Sequence, residues 1–209
     1  MEKLKIVSLS ALSLLAIATL AACGNNKASE KNITFSIPTD VATLDPTIVT
    51  DQYSYNVIGN VEEGATRVDK NGDAALALAK SITSSSDGLT YTITLKPNLK
   101  WSNGDPLTAQ DFAYAWRRAV DPKVGSEYAY LMGAIENAND ISAGKLDQSK
   151  LGVEVKSDTQ LTVKLSSPTP YFKFLLSEPV YYPLDEKVVE KYGKSFGTTS
   201  DKMVYNGPY

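Results

Sequence analysis

Histidine is absent from the 209 residues, and cysteine occurs once, at Cys23. With no His and no second Cys there is no zinc site of the usual kind, no disulfide, and no Ser-His or Cys-His dyad. A carboxylate pair or a Ser-Lys pair stays formally open, but no acidic residues show a distinctive spacing, so no catalytic residue and no metal ligand is assigned. Blocks of Lys and Arg are also missing, which argues against nucleic-acid binding, since neutralising phosphates needs clustered cations. No apolar run reaches the roughly 20 residues that a transmembrane helix needs. The longest, Ile6 to Ala22, has 17 residues and is interrupted by Ser8, Ser10, Ser13 and Thr19.

That run has a different character. Lys3 and Lys5 precede it, and it ends at Leu20-Ala21-Ala22-Cys23 before the polar stretch Gly24 to Lys31. A basic lead, an apolar middle and small residues at the cut site make a secretory signal. Leu-Ala-Ala-Cys resembles a bacterial lipobox, and that resemblance implies cleavage before Cys23 and attachment of diacylglycerol to its sulfur. Residues 1–22 are thus expected to be a lipoprotein signal peptide and 23–31 a flexible tether, polar and without periodicity. Cleavage would remove Lys3, Lys5 and Glu2 from 21 basic and 24 acidic residues, leaving 19 and 23 and a net charge near −4. Such a surface is ordinary for a soluble body. The remaining 187 residues suffice for one domain or two small ones.

From Asn32 the pattern alternates, with Ile33, Phe35 and Ile37 on one face, which predicts a half-buried strand ended by Pro38. Thr43-Leu44-Asp45-Pro46 is a turn. Tyr53 to Glu63 reads as a helix capped by Asp51 and stopped at Gly64. Leu89 to Leu95 alternates with threonines as a strand after the turn Ser86-Asp87-Gly88. Thr108 to Asp111 forms a capping box for a helix to about Val120, with Phe112, Ala115, Trp116 and Ala119 on its apolar face and Asp121-Pro122 at its end. A second helix is predicted from about Glu127 to Ala143, a hairpin from Val153 to Leu165, and a last helix from Asp185 to Tyr192.

Several segments together carry a resemblance. They are Thr43-Leu44-Asp45-Pro46, Asn60 to Gly64, Ser86 to Lys96, Trp101 to Phe112, Pro168-Thr169-Pro170-Tyr171-Phe172 and Asn206-Gly207-Pro208-Tyr209. In this order they resemble the oligopeptide-binding lipoproteins of bacterial ABC importers, the family 5 extracellular solute-binding proteins. The resemblance covers everything after the tether. It implies an α/β, two-lobed periplasmic-binding-protein-like fold, here truncated to a partial lobe I (32–62 and 188–209) with an inserted α/β domain (63–187). Complete members continue far beyond Asn-Gly-Pro-Tyr, so the chain is expected to be an N-terminal part, either a fragment or a truncated gene.

The function so implied is capture of oligopeptides and their delivery to ABC permease subunits by a monomer, lipid-anchored on the outer face of the cytoplasmic membrane. No cofactor, nucleic acid or enzymatic activity belongs to it. A family member that binds a signalling peptide or a metal chelate, and a truncated surface lipoprotein without transport, stand as alternatives. Carried over from the family, ligand contacts fall on Thr50, Asp51 and Gln52, through the main chain, and on Tyr128 in Ser126-Glu127-Tyr128. Asp51 is equally readable as a helix cap, and Tyr128 as packing between helices. Trp101 and Trp116 read as core, Asp105 and Asp111 as turn and cap.

Overall fold

A computed structural model describes Thr34 and residues 36–208. Residues 39–208 form one compact unit. Cys23, its signal and its tether lie outside the described residues. Of the expected strand over 33–37, Thr34, Ser36 and Ile37 are exposed and adopt no strand. A strand persists only with a ladder partner, and the strands that form among the described residues, between Thr66 and Lys164, pair with one another.

Within 39–209 the centre is a four-stranded antiparallel sheet in the order β3-β4-β6-β5, from Ala79–Ser84 (β3), Thr90–Leu95 (β4), Val153–Ser157 (β5) and Gln160–Lys164 (β6). A small ribbon of Thr66–Val68 (β1) and Ala74–Leu76 (β2) precedes it. The alternation in β4 buries Tyr91, Ile93 and Leu95 on one face. Ile93 stands opposite Leu161, and Tyr91 opposite Val163. Such cross-strand pairs, each stabilising by about 0.2–1 kcal/mol, hold the register.

Helix α2, Ala109–Val120, belongs to the same core. Its capping box forms: the Thr108 side chain accepts from the Gln110 N–H at 3.2 Å, and Asp111 accepts from the Thr108 N–H at 2.6 Å. Phe112, Ala115, Trp116 and Ala119 are all buried. From Phe112 an aromatic chain runs through Trp116, Tyr181 and Phe172 to Tyr91, with neighbouring centroids 6.0, 5.6, 6.2 and 4.9 Å apart, mostly edge to face. Its polar tips are satisfied: Trp116 Nε1 donates to the Tyr181 carbonyl and the Tyr181 hydroxyl to the Leu131 carbonyl, both at 2.8 Å. Trp101 is buried too.

The single helix expected from Glu127 to Ala143 is replaced by two short pieces, a 3-10 helix Ala129–Ala134 and α3, Ala138–Ser142. Between them the main chain joins the sheet. Ile135 bridges Leu165, Glu136 donates to the Lys164 carbonyl at 2.9 Å and accepts from the Gly152 N–H at 2.9 Å, and Asn137 sits at φ 68. The faces that a helix would present, Tyr130, Ala134 and Ala138 or Leu131, Ile135 and Ala138, are not the buried set: Tyr130 is exposed, and Met132, Ile135, Ala138 and Ile141 are buried instead. Their spacing of three matches 3.0 residues per turn more closely than 3.6. Sheet hydrogen bonds win over helix continuation here.

The Leu-Asp-Pro turn is locked onto α2. Both Asp45 carboxylate oxygens accept from Arg118, at 3.0 and 2.6 Å, and Oδ1 also accepts from the Thr47 N–H. Arg118 lies over the Phe196 ring at 5.7 Å. Gly197, at φ +72, lets the backbone pass so close that a Cβ there would fall 2.5 Å from the Asp45 nitrogen. The Asn206-Gly207 segment grips the end of α1 (Gln52–Val61): Asn206 pairs with both main-chain groups of Glu63, and Gly207 donates to the Val61 carbonyl. Tyr205 in turn exchanges hydrogen bonds with Ser102. Four separate sequence motifs therefore lock 39–208 together. Among the described residues no helix is long and apolar enough to cross a membrane.

Candidate functional site

The clamped turn presents the next residues, Val49 to Gln52, along the rim of a cavity of about 240 Å³. Asp51 caps α1, its Oδ1 accepting from the Tyr53 and Ser54 N–H groups at 3.1 and 2.9 Å. Hydrogen bonds from the Ser54 side chain and main chain hold its carboxyl below the ordinary range. Its backbone is extended, φ −99 and ψ 147, as is usual for an N-cap residue. Opposite this rim, the Ser126 hydroxyl donates to the Thr47 carbonyl at 2.6 Å and ties the loop bearing Tyr128 to the turn. Thr50, Asp51, Gln52 and Tyr128 all line the one cavity.

Other lining residues carry no signal that the sequence reading used. Tyr55 lies one turn beyond Gln52 on α1, and its hydroxyl donates to Glu178 Oε2. Burial first, and the Glu178 carboxylate second, push the Tyr55 hydroxyl well above its ordinary range, so it stays a proton donor. Glu178 precedes the 3-10 helix Pro179–Tyr181 without capping it. Pro46, Val49, Leu131, Pro179 and Val180 supply the apolar wall. A count of one helical turn from Asp51 would have flagged Tyr55. Nothing local marks Glu178, which is brought in from 123 residues away.

A larger cleft, about 660 Å³, lies along the outer face of α2 beside Arg117, Arg118, Asp121, Asp147, Glu186 and Glu190. Arg118 is already engaged by Asp45. Asp105 and Asp111 do sit in a turn and a cap, with Asp105 bonded to Asn103 and to Trp101. Burial raises the Asp111 carboxyl to about 6. Among the described residues no three of His, Cys, Asp and Glu stand close enough to hold a metal ion.

The pattern of the bacterial extracellular solute-binding proteins, family 5 (middle part) matches residues 74–209. The chain belongs to this family. It is 68% identical over its whole length to a dipeptide-binding protein of Lactococcus lactis subsp. cremoris, covering 38% of that protein. To the oligopeptide-binding protein OppA of Bacillus subtilis it is 38% identical, over 97% of this chain and 39% of that one. Among solved structures, the substrate-binding domain of an oligopeptide ABC transporter from Bacillus anthracis superposes with a TM-score of 0.82 at 41% identity. It covers 83% of this chain, which covers 34% of it. Listeria monocytogenes OppA bound to peptide gives 0.79 at 43% identity, over 81% of this chain and 33% of that one. The family 5 chain described here thus has the α/β fold of these binding proteins and spans little more than a third of their length.

Proposed function

We propose that the chain is the N-terminal part of an oligopeptide-capturing subunit that hands its ligand to an ABC permease. The observation that carries this reading is the convergence of the helix entry Thr50-Asp51-Gln52 and Tyr128 on one cavity. Main-chain groups at a helix entry can bond a peptide whatever its side chains, while a cavity behind them accommodates one side chain or end. The relative named a dipeptide-binding protein and the OppA structure solved with peptide support the same ligand class. The proposal includes anchorage through Cys23 on the outer face of the cytoplasmic membrane, a monomeric state, and a division into lobe I (32–62 and 188–209) and an inserted domain (63–187).

One wall is a weak binder. Each hydrogen bond to an open surface nets about 0.5–1.5 kcal/mol, against an association cost of roughly 4–15 kcal/mol. Closure of a second lobe removes the ligand from water. Calorimetric titration with a mixed peptide library tests the reading: a protein extended through the remainder that its relatives carry should bind peptides of varied sequence, and the 209-residue chain should bind little. No binding by the extended protein would refute it. For the anchor, Cys23→Ala should abolish incorporation of labelled fatty acid, and undiminished labelling would exclude lipidation at that position.

A further inference from the structure

We infer that, in the complete binding protein, the segment following Tyr209 runs along α1 and covers the stripe Tyr53, Val57 and Val61. This rests on the reading of the chain as an N-terminal part and names what the remainder contributes at this place. The three residues recur at every fourth position and so stand one above another on one side of the helix. The body of the chain uses a neighbouring side. Only Ser54 and Ile58 of α1 are buried, Ile58 in a small cluster with Val49 and Tyr182 that Tyr55 also joins. Tyr53 is 36% exposed, Val57 and Val61 are half-buried, and among the described residues none of the three packs against the buried apolar clusters. A helix left facing water carries charged residues on its outer side. α1 carries none from Gln52 to Val61, so nothing charged has to be desolvated when a segment docks there.

The course of the main chain indicates the occupant. The Gly207 N–H donates to the Val61 carbonyl at 2.9 Å, a Cβ on Gly207 would lie 2.5 Å from that carbonyl, and Asn206 holds Glu63. Pro208 is thus delivered against the last turn of α1. Relatives go on from there: this chain makes up 38% of the dipeptide-binding protein to which it is 68% identical. Val61 and Tyr53 are about 12 Å apart along the helix axis, a distance that about four extended residues span. The first residues after Tyr209 therefore reach the whole stripe, and they do so at a smaller loop-closure cost than any later segment.

Thiol labelling tests this on the complete protein, this chain with its continuation, in a Cys23→Ala background that leaves an introduced thiol as the only one within these 209 residues. Tyr53→Cys and Val57→Cys should react with a maleimide at least about ten-fold more slowly than Lys145→Cys, at an exposed side chain, and the difference should vanish in urea. p-Benzoylphenylalanine incorporated at Tyr53 should photo-crosslink to the residues directly after Tyr209, read by mass spectrometry of the digest. Equal labelling rates, crosslinks to any other segment, or crosslinked dimers that mark a second copy as the occupant overturn the inference. Should the cysteine variants fold poorly, hydroxyl-radical footprinting of the wild type decides: Tyr53 should be oxidised about ten-fold more slowly in the native than in the unfolded protein, and equal rates overturn the inference. None of these measurements uses a peptide, so a failure of peptide capture in calorimetry is registered separately.

Discussion

Two polar regions of this chain are built from the same kinds of residue and differ in what their polar groups do. At the junction of motifs, Asp45 meets Arg118, Asn206 meets both main-chain groups of Glu63, and Gly207 meets Val61. Around the cavity, Thr50 and Gln52 are exposed, Tyr128 is half-buried, and Glu178 keeps one partner. The junction is satisfied from within the chain, and the cavity leaves capacity open for something else. Recognisable motifs therefore mark where the chain closes on itself, while the ligand-facing surface is made of residues that stand out little in the sequence. The exception inside the junction is Glu62, buried with its Oε2 unpartnered.

The sharpest way to break the comparison is at Asp45. Arg118→Ala should destabilise the protein by about 3–5 kcal/mol, because it strands a buried carboxylate, and urea unfolding would register this as a lower midpoint. A loss under about 1 kcal/mol would mean that the junction is no clamp. Next comes Gly207→Ala. Its Cβ would lie 2.5 Å from the Val61 carbonyl carbon and oxygen, and overpacking against backbone costs about 1–3 kcal/mol, readable as a fall in Tm.

Glu62 gives a smaller effect of opposite sign. Burial first, and the Asp45 charge second, raise its carboxyl well above the ordinary 4.5. A raised folded-state pKa means that its stability contribution is complete below the unfolded value and is lost as pH climbs through the folded one. Glu62→Gln should therefore be more stable than wild type at pH 8, by something of order 1 kcal/mol, with the difference gone below about 4.5. Parallel pH profiles of wild type and variant would count against this. Least of all should be the cavity rim: Thr50→Ala and Gln52→Ala are expected to shift unfolding by no more than about 0.5 kcal/mol and, since the main chain makes the contacts there, to leave peptide binding in the extended protein little changed. A large stability loss there would make the rim part of the clamp.

Much of the fold was legible because it rests on local physics. The threonine alternation of β4, the Thr108–Asp111 capping box, the Asp51 cap and the Asp121-Pro122 stop each form as their neighbours dictate. The segment 129–142 was not, since its apolar spacing of three fits a helix template loosely and its main chain is claimed by Leu165, Lys164 and Gly152 across the sheet end. Ile37 failed as a strand residue for the related reason that alternation supplies a face but no ladder partner. For the cavity, Thr50, Asp51, Gln52 and Tyr128 were reachable through resemblance, and their meeting depends on the hydrogen bond from Ser126 to Thr47.

By itself, the sequence determined which segments cap and stop, the hairpin from Val153 to Leu165, and membership of family 5 through the order of its motifs. These follow from backbone preferences and composition, which act within a few residues. Only the tertiary structure decided that Asp45 would be spent on Arg118, 73 residues away, that Glu62 would be sealed without a partner for one oxygen, and that Glu178 would meet Tyr55 in the wall of a cavity lined by no Lys or Arg. Whether a charged side chain is neutralised, stranded or left to meet a ligand depends on what lies a few ångströms away in space, and that distance is set by how the whole core packs.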